Sequence, residues 1–351
     1  MGLGELYRKP PEHPGASYFA KKSALIRKLD AEKLNACVVY NDEMFEPEQS
    51  KHGTFGIFNP SCIQNGNKVG IIARAEHSEA TWHGRFLTDK ATPLWSEATI
   101  TDRLHFSMLH KPMSPGMPSA VRSEDWRLFK YNNEVWTNFT TYFFLNDGWP
   151  QKDVKARTCV GKLDAGYHIR FIKEMELPLM GTEEKNWVFF EHQGKAKFIY
   201  KLEPMTICEC DSDWNVASTE VYPLRFDRRS ENSFIANSTN PILLTLPKWG
   251  EVYFMMYHYF LDPYAEMGGS RNRTYYQFAY IFDKNTLRPL AHTYRPVVGG
   301  GRGQGRHNNV IYISGVIDSP EIIHFLAGEG DTYSRAIGVS KSILADSLVK
   351  I

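Results

Sequence analysis

The residues best suited to chemistry lie in Ser123-Glu124-Asp125-Trp126-Arg127, where a carboxylate stands two positions from an arginine. Along a strand, period-two alternation places Asp125 and Arg127 on one face, so the guanidinium would orient the carboxylate or lower its proton affinity. An ordinary strand-edge ion pair has the same pattern. A second feature is the run Gly299-Gly-Gly-Arg-Gly-Gln-Gly-Arg-His307. Its glycines let backbone N–H groups approach an anion, and Arg302, Arg306 and His307 add donors. It lacks the lysine and the strand-to-helix setting of a nucleotide-binding P-loop, and a surface connection would read similarly.

The elements that must position these residues are mostly strands. Lys68–Arg74, Glu134–Tyr142, Lys197–Leu202 and Val252–His258 are rich in β-branched and aromatic residues. They are bounded by turn residues at Asn65-Gly66-Asn67, Asn132-Asn133, Gln193-Gly194 and Trp249-Gly250. A loose repeat runs through them, each unit opening on a polar group: Phe58-Asn59-Pro60, Glu124–Arg127, Glu184-Lys185-Asn186-Trp187, Thr239-Asn240-Pro241 and Asn308-Asn309-Val310. Successive openings, counted from Asn59, Asp125, Lys185, Asn240 and Asn309, are 66, 60, 55 and 69 residues apart. Five β units of this size predict an all-β fold, a five-bladed β-propeller over residues 51–351, in which the polar openings converge on a central funnel. A bent β-sandwich is the alternative. Apolar residues on a 3.6 period from Ala16 to Leu34 predict a helix in an N-terminal extension, residues 1–50, packed on the propeller or serving homo-oligomer contacts. Ser340 to Leu348 reads as a short closing turn.

Composition excludes several classes. Of 351 residues, 41 are basic and 40 acidic, a net charge of +1 that gives no counterion-releasing excess for nucleic acid. A hydrophobic share of 42% builds a core, and 23% charged residues without a long like-charge run argue against disorder. No segment reaches the ~20 apolar residues of a membrane span, and no apolar signal region opens the chain, so a cytoplasmic protein is expected. Five cysteines at irregular spacing read as buried thiols, with Cys208 and Cys210 on one strand face. His105 and His110 belong to no ligand set with metal spacing, so no metal is expected. The aromatic share of 13% suits a β core and rings that stack on flat ligands; Trp82, His83 and Tyr142 are candidates for such a wall.

Glu124-Asp125-Trp126-Arg127 resembles the Glu-Asp-Pro-Arg signature of glycoside hydrolase family 130, five-bladed propeller enzymes acting on β-mannosides, mostly as phosphorylases. It is also similar to the related mannosyltransferase/phosphorylases of β-1,2-mannan. Further matches follow in order from about Phe55 to Leu344: Phe58-Asn59-Pro60, Ile71–Glu76 with its Arg-x-Glu ending, Glu184–Trp187, Met256-Tyr257-His258 and Ala327-Gly328-Glu329-Gly330-Asp331. Trp126 stands where proline is usual, Asn237–Pro241 where a Gly-rich Pro-Pro segment is common, and Ala327 where tyrosine is.

The resemblance implies that Asp125 is the general acid, protonating the glycosidic oxygen through the mannose 3-hydroxyl while phosphate attacks the opposite face of the anomeric carbon. Phosphate then replaces the base and water of an inverting glycosidase. Asp125 would have to be neutral near neutral pH, through burial or a neighbour such as Glu124. Lys185 and His258 are implied as phosphate ligands, with Arg302, Arg306 and Arg157 as further candidates. Asn59, Arg74, Arg127, Tyr257 and Asp331 are implied to hold the sugar, and Glu76 to contact it or hold Arg74. The substrates would be a mannooligosaccharide with phosphate or a sugar phosphate, and no other cofactor is expected. Three alternatives share the fold: a mannosyltransferase using GDP-mannose, an inverting β-mannosidase whose base is Glu76, Glu183, Glu184 or Asp331, and a non-catalytic sugar-binding propeller.

Overall fold

The computed structural model describes residues 28, 30, 33–45, 54–77, 92–100, 104–112, 122–144, 154–178, 180–226, 233–261, 273–300 and 309–351. After a 3-10 turn at Asn35–Cys37 comes β1 (Val38–Phe45). The first four-stranded sheet is β2 (Thr54–Asn65), β3 (Lys68–His77), β4 (Thr92–Ile100) and β5 (Leu104–Pro112). The second is β6 (Arg122–Tyr131), β7 (Glu134–Phe144), β8 (Val154–Leu163) and β9 (Ile169–Glu174). The third is β10 (Val188–His192), β11 (Lys195–Leu202), β12 (Met205–Cys210) and β13 (Val216–Tyr222).

A seven-stranded sheet follows, built from β14 (Ser233–Asn237), β15 (Ile242–Leu246), β16 (Gly250–Leu261), β17 (Thr274–Asp283), β18 (Pro289–Thr293), β19 (Val298–Gly299) and the late strand β23 (Leu348–Lys350). The last four-stranded sheet joins β20 (Ile311–Asp318), β21 (Ile322–Glu329) and β22 (Tyr333–Ser340) to β1, which pairs antiparallel with β22. The N-terminal strand thereby closes the last sheet, so residues 38–45 belong to the β body and not to a separate extension. Most of the helix expected over 16–34 lies outside the described residues; Lys28 and Asp30 are helical. The expected closing turn is helix α1 (Lys341–Asp346), capped by Ser340, whose hydroxyl accepts from the Ile343 N–H.

The strands turn where the sequence marks them. Asn132 and Asn133 adopt φ of 52° and 60°, and Gln193 and Gly194 adopt 52° and 74°, the left-handed pair that a two-residue hairpin requires. Around the molecule β2 lies beside β6 and β20, β6 beside β10, β11 beside β14, and β20 beside β16 and β17. This is a propeller-like ring, all-β apart from short helical turns among the described residues. Four of its sheets are four-stranded blades, which corrects the expectation of five. The departure arises at Asn237–Pro241. There the Ser238 and Thr239 N–H groups both turn to the Met256 carbonyl and Pro241 has no N–H to give, so β14 and β15 pair separately with β16. β23 then adds to β18, enlarging this sheet to seven strands.

Core clusters fill the spaces between sheets and absorb most of the aromatic content. Trp187 stacks flat on Phe198 at 4.9 Å between centroids, within a cluster that includes Phe129, Phe189 and Trp214. Trp126, the residue in place of proline, is 1% exposed and packs with Trp95, Leu128 and Phe139. All five cysteines are unpaired and buried, and burial pushes the Cys62 thiol up to about 12. No helix among the described residues is long and apolar enough to cross a membrane.

The sheets approach closely where the site begins. A Cβ at Gly328 would lie 2.0 Å from Asn59 Oδ1 and 2.8 Å from the Asn59 backbone nitrogen. Gly328→Ala is therefore expected to lower stability by about 1–3 kcal/mol through overpacking, read as a fall in the urea midpoint. An unchanged midpoint would contradict this close approach.

Candidate active site

A pocket of about 310 Å³ opens where the first strands of the sheets meet. Two β-bulges aim polar side chains into it. The β2–β3 register shifts between Phe58 and Ser61, and the β6–β7 register shifts between Glu124 and Arg127. The residues inside these shifts, Asn59 and Asp125, adopt φ of 50° and 57°; Asn186 and Asp331 reach 63° and 51° at the same pocket. Asn and Asp tolerate this left-handed conformation better than other side chains with a Cβ, so these residue types suit the backbone as well as the chemistry.

In the pocket Asn59 Nδ2 donates to Asp125 Oδ1 at 3.0 Å. Arg74, seated over the Phe58 ring, contacts Glu124 through Nη1 and Oε2 at 2.8 Å, and the Tyr142 hydroxyl donates to the other Glu124 oxygen. Glu124 is thus a paired anion that anchors Arg74. Asp331 also lines the pocket. Glu76 lies in β3 opposite Gly56, with its side chain outside the described ones.

The same pocket is lined by Lys185, Arg273 and His258, with Asn186, Phe260, Tyr275 and Tyr312. The Lys185 ammonium, 31% exposed, has the Glu183 carboxylate at 3.5 Å. The Arg273 guanidinium lies over the Phe260 ring at 5.3 Å and hydrogen-bonds Tyr275, whose phenol burial pushes up to about 12. Burial, reinforced by Arg127, Lys185 and Arg273, drives His258 down from 6.5 to about 3. His258 is at the expected place, but it is a neutral imidazole at neutral pH.

Three expected residues sit elsewhere. Arg127 is buried beneath the pocket. Its Nε donates to the Ser238 carbonyl at 2.7 Å, Nη1 to the Asp125 carbonyl at 3.3 Å, and Nη2 to Asn186 Oδ1 at 3.0 Å and to the Tyr312 hydroxyl. The bulge breaks the alternation that would have set it against the Asp125 carboxylate, so it holds the backbone of the site. Tyr257 points to the opposite face of β16 from His258; it packs on Phe226 and Phe278 and hydrogen-bonds His292 at 3.2 Å. Arg157 donates to the carbonyls of Ala156, Gly181 and Thr182 and thereby holds the segment leading to Lys185. Arg302, Arg306, His307, Trp82 and His83 lie outside the described residues, as do the side chains of His105 and His110.

Among the proposed bases, Glu183 is 63% exposed and Glu184 accepts from the Gly181 N–H at 2.6 Å, so Asp331 alone of the described ones lines the pocket. Among the described residues, no group of His, Cys, Asp and Glu has metal-binding geometry. Sequence reasoning missed Arg273, Tyr275, Phe260 and Tyr312. Asn186 was legible as part of a unit opening, but Arg273 reaches the site only because β17 pairs with β16, setting Tyr275 opposite Phe260.

The neutral His258 has a consequence for stability. Below about pH 6.5 the unfolded chain protonates this imidazole while the folded chain does not until about pH 3. Stability therefore falls as pH drops through that window, at about 1.4 kcal/mol per pH unit for one such group, and is unaffected by it above the window. His324, lowered to about 4 by burial, acts in the same direction. Urea unfolding across this range is expected to show the decline, and His258→Gln to flatten it.

No protein-family model matches the chain, and no curated protein matches it in sequence. Solved structures do. A β-1,2-mannobiose phosphorylase from Listeria innocua, in complex with β-1,2-mannobiose, superposes with a TM-score of 0.60 at 15% identity, covering 86% of this chain and 94% of its own. A mannose phosphorylase from Leishmania mexicana, in complex with phosphate ion, gives 0.57 at 15% identity over 95% and 97% of the two chains. A GDP-Man-dependent mannosyltransferase from the same organism gives 0.57 at 12% identity over 92% and 93%. The likeness read from the motifs is thus matched in three dimensions: this chain has the fold of mannoside phosphorylases and of mannosyltransferases related to them in structure.

Proposed function

We propose that the protein is an inverting β-mannoside phosphorylase, converting a β-1,2-linked mannooligosaccharide and phosphate reversibly to α-mannose 1-phosphate and a shortened chain. The observation that carries this reading is the placing of Asp125 in one pocket with the two cations Lys185 and Arg273. The volume, near the lower end of ligand pockets at roughly 300–1,000 Å³, suits one sugar ring and a small anion.

In this scheme Asn59, Arg74 and Asp331 hold the sugar, and Asn59 also orients Asp125. The Asp125 proton passes, through the sugar 3-hydroxyl, to the glycosidic oxygen as the anomeric C–O bond breaks. A phosphate oxygen held by Lys185 and Arg273 forms the new bond on the opposite face, so configuration inverts. Arginine and lysine supply the positive charge the phosphate needs, so neither a metal nor an organic cofactor is called for, and activity is expected to persist in a chelator. An inverting hydrolase has no use for this cation pair.

One observation favours a second reading. Phe260 stacks between Tyr275 at 5.2 Å and Phe234 at 5.1 Å, and Phe234 is 46% exposed. Such a ledge beside the anion site would suit the base of GDP-mannose in a mannosyltransferase. Incubation with GDP-mannose and a mannose acceptor in the absence of phosphate distinguishes the two, since elongation there favours transfer.

Asp125→Asn is expected to lower phosphorolysis of β-1,2-mannobiose by about 10²–10⁴-fold, measured as mannose 1-phosphate release, with the melting temperature little changed. Lys185→Ala is expected to raise the KM for phosphate about tenfold or more with a smaller effect on the KM for sugar. Full activity in Asp125→Asn would end the assignment.

A further inference from the structure

The hydrogen bonds behind His258 determine which of its nitrogens carries the proton. Gln277 Nε2 donates to the Ile311 carbonyl at 2.7 Å, and a carbonyl can only accept, so the Gln277 amide is oriented without ambiguity. Its Oε1 consequently faces Ser238 and accepts the Ser238 hydroxyl proton at 3.1 Å. A serine has one proton to give. With that proton committed, the 2.9 Å contact between Ser238 Oγ and His258 Nδ1 is a hydrogen bond only if Nδ1–H is the donor. Gln277 and Ser238 are fully buried and His258 is 2% exposed, so water does not replace any link of this chain.

A neutral imidazole protonated on Nδ1 has a lone pair on Nε2. No hydrogen bond of His258 to a described residue uses Nε2, and the ring lines the pocket beside Lys185 and Arg273. Of the groups that face it, Arg127, Lys185 and Arg273 are cationic and oppose its protonation. Tyr312 packs edge-on at 5.2 Å, and Phe260 and Tyr275 stack against it.

Resting on the phosphorylase reading, we propose that His258 accepts a hydrogen bond from the bound anion, so that the pocket selects an oxyanion carrying an O–H group. Hydrogen phosphate and dihydrogen phosphate, and the corresponding arsenates, provide a P–OH or As–OH at neutral pH. Sulfate has nearly the same size and charge but no proton, and it sets an oxygen lone pair against the Nε2 lone pair. Gln277 acts in this as a positioning residue, through Ser238, and touches no substrate.

The test uses the full chain with inorganic phosphate, arsenate and sulfate as probes. Nitrogen-15 shifts of the His258 imidazole in the ligand-free protein are expected to show Nδ1 protonated and Nε2 bare. Calorimetry is expected to show phosphate and arsenate binding about tenfold to a hundredfold more tightly than sulfate. Gln277→Leu frees the Ser238 proton for Nδ1, which moves the imidazole proton to Nε2; the folded variant should lose the discrimination against sulfate. Should that variant not fold, the tautomer and the anion ratio of the unmodified protein decide the matter. Equal binding of phosphate and sulfate, or a protonated Nε2, overturns the inference while leaving phosphorolysis intact. No binding of either anion, with no phosphorolysis, overturns the phosphorylase reading and this inference together.

Discussion

The buried guanidinium of Arg127 is the interaction on which the rest of the site depends. At 1% exposure it is almost wholly withdrawn from solvent, and an uncompensated charge there would cost several kcal/mol, so its planar fork needs acceptors from the protein. The acceptors come from four parts of the chain: the Asp125 carbonyl on β6, Asn186 before β10, the Ser238 carbonyl between β14 and β15, and Tyr312 on β20. Satisfying one cation therefore brings four sheets into register around the pocket floor. Burial, and after it this same charge, lowers the proton affinity of His258, which links the structural tie to the pocket above it.

Buried amides continue this pattern. Asn240 donates to the Leu128 carbonyl and to Asn138, and accepts from the Phe189 N–H; Asn237 donates to the Asn186 carbonyl. Each lies where a strand is interrupted and a backbone group lacks a ladder partner, so the side chain supplies the missing bond. Polar residues at the unit openings thus divide by depth. Asn59 and Asp125 rise into the pocket on bulged, left-handed backbone, whereas Asn240 and Arg127 stay below and join the sheets.

Much of this organisation was legible in the sequence. Turn pairs such as Asn132-Asn133 and β-branched, aromatic runs such as that of β16 reflect local backbone preferences, and the five openings do fall on or beside the first strands of their sheets. The short capped helix α1 was similarly local. Period-two reasoning failed for Arg127, because a bulge adds a residue that no local propensity announces. Alternation along β16 separates Tyr257 from His258 in the folded chain: adjacent in a motif, they lie on opposite faces of one strand, and only His258 reaches the pocket.

The sequence by itself determined the strands, their turns, the polar opening of each unit and the acid-bearing motif, since these depend on neighbours a few positions away. Tertiary structure alone decided that β1 closes the last sheet, that the strand broken at Asn237–Pro241 belongs to a seven-stranded sheet, and that Arg273 joins Lys185 at the pocket. It also decided the protonation of His258. The reason is physical: a charge or a proton is placed by the groups that surround it after folding, and Gln277, Ser238 and Arg127 meet His258 only when the strands of two sheets have come together.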